Sequence, residues 1–391
     1  MIMKYIHRSL ESQVISILSS GKVLVLVGAR QVGKTTLIQN IVKDTRHTFL
    51  NMDRTIDANR LHTASLLSPE EAMRTLGNPN TLVIDEAQRI PQVGRIVKGW
   101  FDSNIQCKII LLGSSSLQLL DHTAEPLTGR NLKCILPPLS IKEALTTQSW
   151  FDTHIPTSIT TKTYHAQLHD FLLQRMTYGS YPESVQHTSP TAYLHNLVED
   201  YLFKDIYSLG LTRSPQTLQK LVQLLALQIG SEVSINELSS SLGISRTTVE
   251  RYLDLLEQTF VIFRIRPYFT NARKELIKNY KIYFWDTGVR NAIIGQLEPR
   301  EDRVDIGPLW ENWVFSEWKK KLSNAQRPTS LHFWRTRQGS EVDMVIKQES
   351  KLTAFECKWS TKKDTRKSLF SSDYGVPVTP MNPETIWAHL L

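Results

Sequence analysis

The sequence predicts an α/β protein: a parallel sheet carrying a phosphate-binding loop, then a helical stretch with a helix-turn-helix, then a second, smaller α/β unit. Three observations predict it. Residues 22–42, "KVLVLVGARQVGKTTLIQNIV", pass from an apolar run through G-x-x-x-x-G-K-T into helical spacing of Leu37, Ile38, Ile41 and Val42. Residues 81–91, "TLVIDEAQRIP", and 107–120, "CKIILLGSSSLQLL", are two more buried-strand runs separated by a helix-length segment. Near the other end, "EVDMVIK" and "KLTAFECKW" alternate charged and apolar residues as paired strands do.

The first run reads as strand, phosphate loop and helix. Gly28 and Gly33 let the backbone wrap round phosphates with its N–H groups inward, and Lys34 adds a point charge near the outer phosphates. Thr35 can place a hydroxyl on Mg²⁺, and Thr36 continues the nucleotide-facing turn. The second strand delivers Asp85 and Glu86 at its carboxyl end, which suits Mg²⁺ held through Asp85 and an attacking water oriented by Glu86. The third ends in Ser114, Ser115 and Ser116, hydroxyls within the chemistry of a γ-phosphate. "HTFLNM" and "LKCILP" supply two further strands, and strands alternating with helices imply a parallel sheet covered on both faces. No N-K-x-D element for reading guanine is present, so ATP is expected as the nucleotide. "DEAQ" also looks like a helicase box, but no S-A-T element follows it.

These motifs resemble AAA-type ATPases, with Ser114 on the sensor strand. "AEPLTGRNLKCILPPLSIKEAL" resembles the close of the core in bacterial and archaeal AAA-type ATPases that carry a C-terminal domain of uncharacterised function. That resemblance places Arg130 where a charge could reach a triphosphate, either as an arginine finger towards a neighbouring subunit of a homo-oligomer or in a pair with a core acid. "YGSYPESV" resembles the G-x-P element of signal-transducing ATPases, whose proline packs near adenine; the matching residue is Pro182, and a plain helix-capping turn is the alternative.

In "INELSSSLGISRTTVERYLDLLEQTFVIFRI", Leu238, Leu242, Val249, Leu253 and Leu256 make a core stripe and Gly243 allows a tight turn between two helices. A helix-turn-helix so placed offers Arg246, Thr247, Thr248 and Arg251 to a major groove. The following stretch, 264–281, holds six basic residues and one acid, reads as the wing of a winged helix, and puts Arg264 and Arg266 among phosphate contacts. The alternative partner for this module is a protein.

In "KLTAFECKW", Glu356 and Lys358 share one strand face and Cys357 the other. Asp343 and Glu356 on adjacent strands could hold Mg²⁺, Lys358 could activate a water, and Glu311, from the helical "PLWENWVFSEWKKKL", could complete the shell. The pattern resembles the restriction-endonuclease-like PD-(D/E)xK superfamily, except that no proline precedes Asp343. A half-solvated hairpin without activity is the other reading.

The expected organisation is an ATPase core over 1–140, a helical lid over 141–212, a winged helix over 213–283 and a nuclease-like α/β domain over 284–391. The formal net charge of +8 is compatible with DNA and with no nucleic acid at all. Three scattered cysteines suggest neither zinc nor disulfides and point to the cytosol. No apolar run is long enough to span a bilayer, so no membrane is expected.

Overall fold

The computed structural model describes residues 4–114, 127–202, 214–269, 280–325, 328–336, 338–360 and 369–391. Ser115, Ser116 and most of the basic wing (270–279) lie outside them. The chain forms two compact units, residues 2–137 with 258–260, and residues 138–257 with 261–391.

The first unit is built on five strands: β1 (Val23–Val27), β2 (His47–Asn51), β3 (Thr81–Asp85), β4 (Lys108–Gly113) and β5 (Asn131–Ile135). They lie in the order β2-β3-β4-β1-β5, every pair parallel. All residues of β1 and β3 are buried, as continuous Val/Leu/Ile runs require when helices cover both faces. Helices Lys34–Val42, Thr55–Ser65, Pro69–Thr75 and Val93–Asp102 lie between successive strands in the chain. The third of these starts at a capping box, with Ser68 Oγ accepting from Glu71 N and the Glu71 carboxylate accepting from Ser68 N.

In the second unit, helices occupy most of the chain from Ile141 to Leu227. A seven-stranded sheet follows, made of β6 (Glu232–Val233), β7 (Ile262–Pro267), β8 (Tyr280–Phe284), β9 (Thr329–Arg335), β10 (Glu341–Gln348), β11 (Lys351–Cys357) and β12 (Val378–Met381). Its order is β12-β11-β10-β9-β7-β8-β6, and the join is the parallel pairing of β7 with β9 at Arg266↔His332 and Pro267↔Phe333. The strands expected to form a wing are therefore continuous with those of the tail, and the boundary expected at 283/284 falls inside one sheet. The long helix Ile306–Leu322 is largely buried, with Trp310 and Trp313 fully so.

Helix His165–Tyr178 ends against helix Thr287–Ile293 at a contact that leaves no room for side-chain atoms. Gly179 has φ +67° and ψ −162°, a region open essentially only to glycine. A Cβ there would lie 1.8 Å from Asp286 Oδ1. Asp286 is buried and caps its own helix, its Oδ1 accepting from Val289 N at 3.1 Å and its Oδ2 from Ser180 N at 2.7 Å. Asn291 Nδ2 donates to Met176 O and Thr177 O, so the end of one helix is bound to the flank of the other. Gly179→Ala should accordingly lower the stability of the second unit by about 3 kcal/mol, through strain and clash together. Urea denaturation followed by tryptophan fluorescence checks this; an unchanged midpoint would contradict the packing.

Candidate nucleotide site and acidic cluster

The parallel order brings the expected nucleotide-facing residues to one edge of the first sheet. β1 ends at Val27, and Gly28 starts the loop; a Cβ on Gly28 would meet Leu136 O at 2.2 Å, so only glycine fits. Gly33 takes φ 94° immediately before the helix, again a glycine conformation. Lys34 is buried and its Nζ donates to the carbonyls of Gly28 and Ala29, both at 2.9 Å, which holds the ammonium inside the loop. Thr35 Oγ1 donates to Asp85 Oδ2 at 2.8 Å, joining the loop to the end of β3, while Thr36 is exposed. Burial raises the Asp85 carboxyl above the usual range, and the Thr35 hydrogen bond opposes that shift.

Glu86 sits in left-handed backbone, φ 52°, which turns its side chain away from the direction of β3. Its Oε2 accepts from Gln88 Nε2 and, at 3.2 Å, from Ser114 Oγ at the end of β4. Gln88 Nε2 also reaches Ser114 Oγ at 3.1 Å, closing a triangle of three side chains. The sequence reading missed Gln88: it belongs to "DEAQ", weighed there only as a helicase signature.

Arg130 takes, within this chain, the second of its two expected roles, a pair with an acid. It directly precedes β5, and its carbonyl accepts from Val23 N at the start of β1. It therefore lies at the edge of the sheet opposite to the phosphate loop, with the length of a five-residue strand, about 16 Å, in between. Its guanidinium grips Asp102 with Nε–Oδ1 at 2.6 Å and Nη2–Oδ2 at 3.2 Å. Within one chain it is thus the partner of an acid and not a phosphate ligand.

In the second unit, Pro182 is the first residue of a short helix, Pro182–Gln186, beside the Gly179 contact. Helices Ile235–Leu242 and Arg246–Gln258 are joined through Gly243 at φ 65°. Arg246, Thr247 and Arg251 are exposed, but so are Glu250 and Asp254 on the same helix, and Thr248 Oγ1 is bonded to Ser245 Oγ at 2.8 Å. Arg264 is not available to phosphates as expected: Nε and Nη2 bind Glu257 Oε2 at 2.7 and 2.6 Å, and Nη2 also binds Asp254. Arg266 lies in β7 at the junction with β9.

The expected metal shell of the tail is occupied differently. Lys281, on β8 and 3 % exposed, puts Nζ 3.0 Å from Glu311 Oε1 and 2.7 Å from Glu341 Oε1. Tyr283 OH also donates to Glu311 Oε1. Burial disfavours the charge on Lys281, but Glu311 and Glu341 outweigh it and hold the ammonium above its usual range. Asp343 Oδ2 accepts from Cys357 N at 2.7 Å, and Glu356 Oε1 pairs with Lys358 Nζ at 2.7 Å. Among the described residues, no three His, Cys, Asp or Glu side chains gather as a metal-holding group. Each of the three carboxylates expected there has a partner: Lys281 for Glu311, Lys358 for Glu356 and the Cys357 N–H for Asp343.

Comparison with known proteins bears on the first unit most directly, because residues 20–145 match the model of an AAA domain. The chain carries an AAA-type P-loop ATPase domain. Beyond it, residues 169–300 match a domain of unknown function (DUF8612), and residues 306–376 match another (DUF4143). The chain is 26% identical over 357 residues to the uncharacterized protein Rv2008c of Mycobacterium tuberculosis, covering 90% of this chain and 73% of that protein. It is likewise 26% identical over 362 residues to the uncharacterized protein MJ1544 of Methanocaldococcus jannaschii, covering 89% and 76%. Among solved structures, the Walker-type ATPase PABY2304 of Pyrococcus abyssi shares the fold, with a TM-score of 0.52 at 14% identity over 74% of this chain and 96% of that one. The AAA domain implies nucleotide binding. No described helix is long and apolar enough to cross a membrane.

Asp343 gives the acidic cluster a pH signature. Burial first, then the charges of Glu311 and Glu356, push its carboxyl from 3.8 up to about 8. The folded form therefore binds a proton that the unfolded chain releases above pH 4, so stability falls as pH rises through that window. The second unit should lose about 1 kcal/mol per pH unit between about pH 5 and 7. Asp343→Asn, which keeps the acceptor for Cys357 N, should flatten that slope in denaturation curves taken across the range.

Proposed function

We propose that the chain binds and hydrolyses ATP at the loop formed by Gly28, Gly33, Lys34 and Thr35. The observation that carries the reading is the Thr35–Asp85 hydrogen bond beside the buried Lys34, which ties the loop to the acidic strand end. Residues present fit a magnesium nucleotide: Thr35 and Asp85 would hold Mg²⁺ and Lys34 would meet the outer phosphates. The metal would neutralise charge on the triphosphate. Glu86, positioned by Gln88 and Ser114, orients the attacking water and accepts its proton.

A second reading concerns the rest of the chain, and Lys281 favours it. An acidic cluster that already holds a buried ammonium suits a catalytically silent tail better than a metal-dependent nuclease. The exposed side of helix Arg246–Gln258 carries acids beside its arginines, and Arg264 is neutralised by two more, which suits a protein partner or a second copy better than DNA. On this reading the protein is an ATP-dependent switch or scaffold whose second unit does the recognising.

Lys34→Ala should remove ATP binding with an unchanged circular dichroism spectrum, and Glu86→Gln should bind ATP yet turn it over at least about a hundredfold more slowly. Normal turnover in the glutamine variant would take the water-orienting role from Glu86. Purified protein should leave supercoiled and linear DNA uncut with Mg²⁺ or Mn²⁺, with or without ATP. Cleavage abolished by both Glu356→Ala and Lys358→Ala would restore the nuclease reading.

A further inference from the structure

Helix Thr287–Ile293 and the segment after it, 294–305, border a cavity of about 620 Å³ in the second unit. That volume lies within the range of small-molecule sites. One part of its wall is apolar: Leu227, Ile294, Leu297 and Val304 line it, and Leu227 and Val304 are among the large hydrophobic side chains this protein leaves most exposed. Isolated exposed apolar residues are ordinary, but two at the mouth of one cavity make a surface that an apolar ligand would cover.

Its inner part is charged. Arg290 lines the cavity although only 1% of the residue is exposed. Its Nε donates to Ala226 O at 2.7 Å, and its Nη1 donates to Asn291 Oδ1 at 3.0 Å and to Asp305 Oδ2. Nη2 is left without a partner among the described residues. Arg303 is fully engaged, with Nε and Nη2 on Asp305, Nη1 on Gln296 O, and Nη2 also on Asn291 Oδ1. Two guanidiniums thus share one carboxylate in the inner part, while at the rim Arg300 is held by Glu298 and Asp302, so the lining as a whole carries no net charge. The Asp305 carboxyl, although burial opposes it, is held down at about 2 by Arg303 and Arg290, so this balance persists at any ordinary pH. Nη2 is not sealed in the core, so an acceptor that enters the cavity meets an open N–H pair.

We infer that this cavity binds a small monocarboxylate with an aliphatic body, its carboxylate accepting from Arg290 Nη2 and its chain covering Leu227, Leu297 and Val304. One open guanidinium nitrogen beside an apolar wall matches a single carboxylate on an aliphatic chain better than a multiply charged phosphate. The site shares no residue with the phosphate loop or the Lys281 cluster, so nucleotide hydrolysis and carboxylate binding can fail independently.

Isothermal titration of the full chain with sodium octanoate and, separately, octylamine hydrochloride tests the assignment. Octanoate should bind saturably at one site per chain in the millimolar range or tighter, and octylamine at least about tenfold more weakly. Arg290→Gln should weaken octanoate by about tenfold, and Ile294→Trp, which fills the cavity without touching the arginines, should remove its binding. Because Arg290 also bonds Ala226 O, the decision rests on the tryptophan variant if the glutamine variant does not fold. Absence of saturable octanoate binding, equal binding of the two probes, or undiminished binding in Ile294→Trp would each overturn the proposal.

Discussion

Parallel strand direction is the constraint on which the nucleotide site depends. Because β1, β3 and β4 run the same way, the residues that follow them, Gly28 to Thr35, Asp85 with Glu86, and Ser114, all emerge at one edge. No residue of the site has to be carried there by a long loop. The same constraint sends Arg130 to the other edge, since it comes before its strand and not after it. Chain direction thus sorts reacting residues from supporting ones before any side chain is considered.

Buried charge organises the second unit in a comparable way. Lys281 is answered by Glu311 and Glu341, Asp286 by backbone N–H groups, and Lys320 by Glu317 and the carbonyl of Leu139, while Glu317 in turn accepts from Ile141 N. Such pairs add little net stability over apolar packing of the same volume, but each leaves a severe penalty if its partner is displaced. They therefore fix which strand lies beside which helix. Glycine performs the same service by exclusion, as Gly28 does under Leu136 and Gly179 does over Asp286.

The phosphate loop, the acidic strand end and the five strands were legible in the sequence because their chemistry is local: each motif carries its own strand and turn within a few residues. What escaped was set by pairing between elements. Arg264 looks like a phosphate ligand in a basic stretch until the helix before it supplies Asp254 and Glu257. Glu311, Asp343 and Glu356 read as a metal shell with no sign of Lys281, which pairs with Glu311 from a strand that the sequence assigns to another domain. Nothing in the run of residues shows that β7 and β9 would pair in parallel across more than sixty intervening positions, and that pairing puts the strand of Lys281 in one sheet with the strands of Asp343 and Glu356. Gln88 escaped for the opposite reason, lying inside a motif whose other meaning was considered.

The join between β7 and β9 also bears on how this chain can change over evolutionary time. A module attached by a flexible linker can be lost, duplicated or exchanged by a single recombination event, since its neighbours keep their own cores. Here a break between the wing strands and the tail would strip hydrogen bonds from two central strands at once and leave both as raw sheet edges. The two halves of that sheet are therefore bound to a common inheritance: descendants can silence the chemistry of the tail far more readily than they can discard the tail itself.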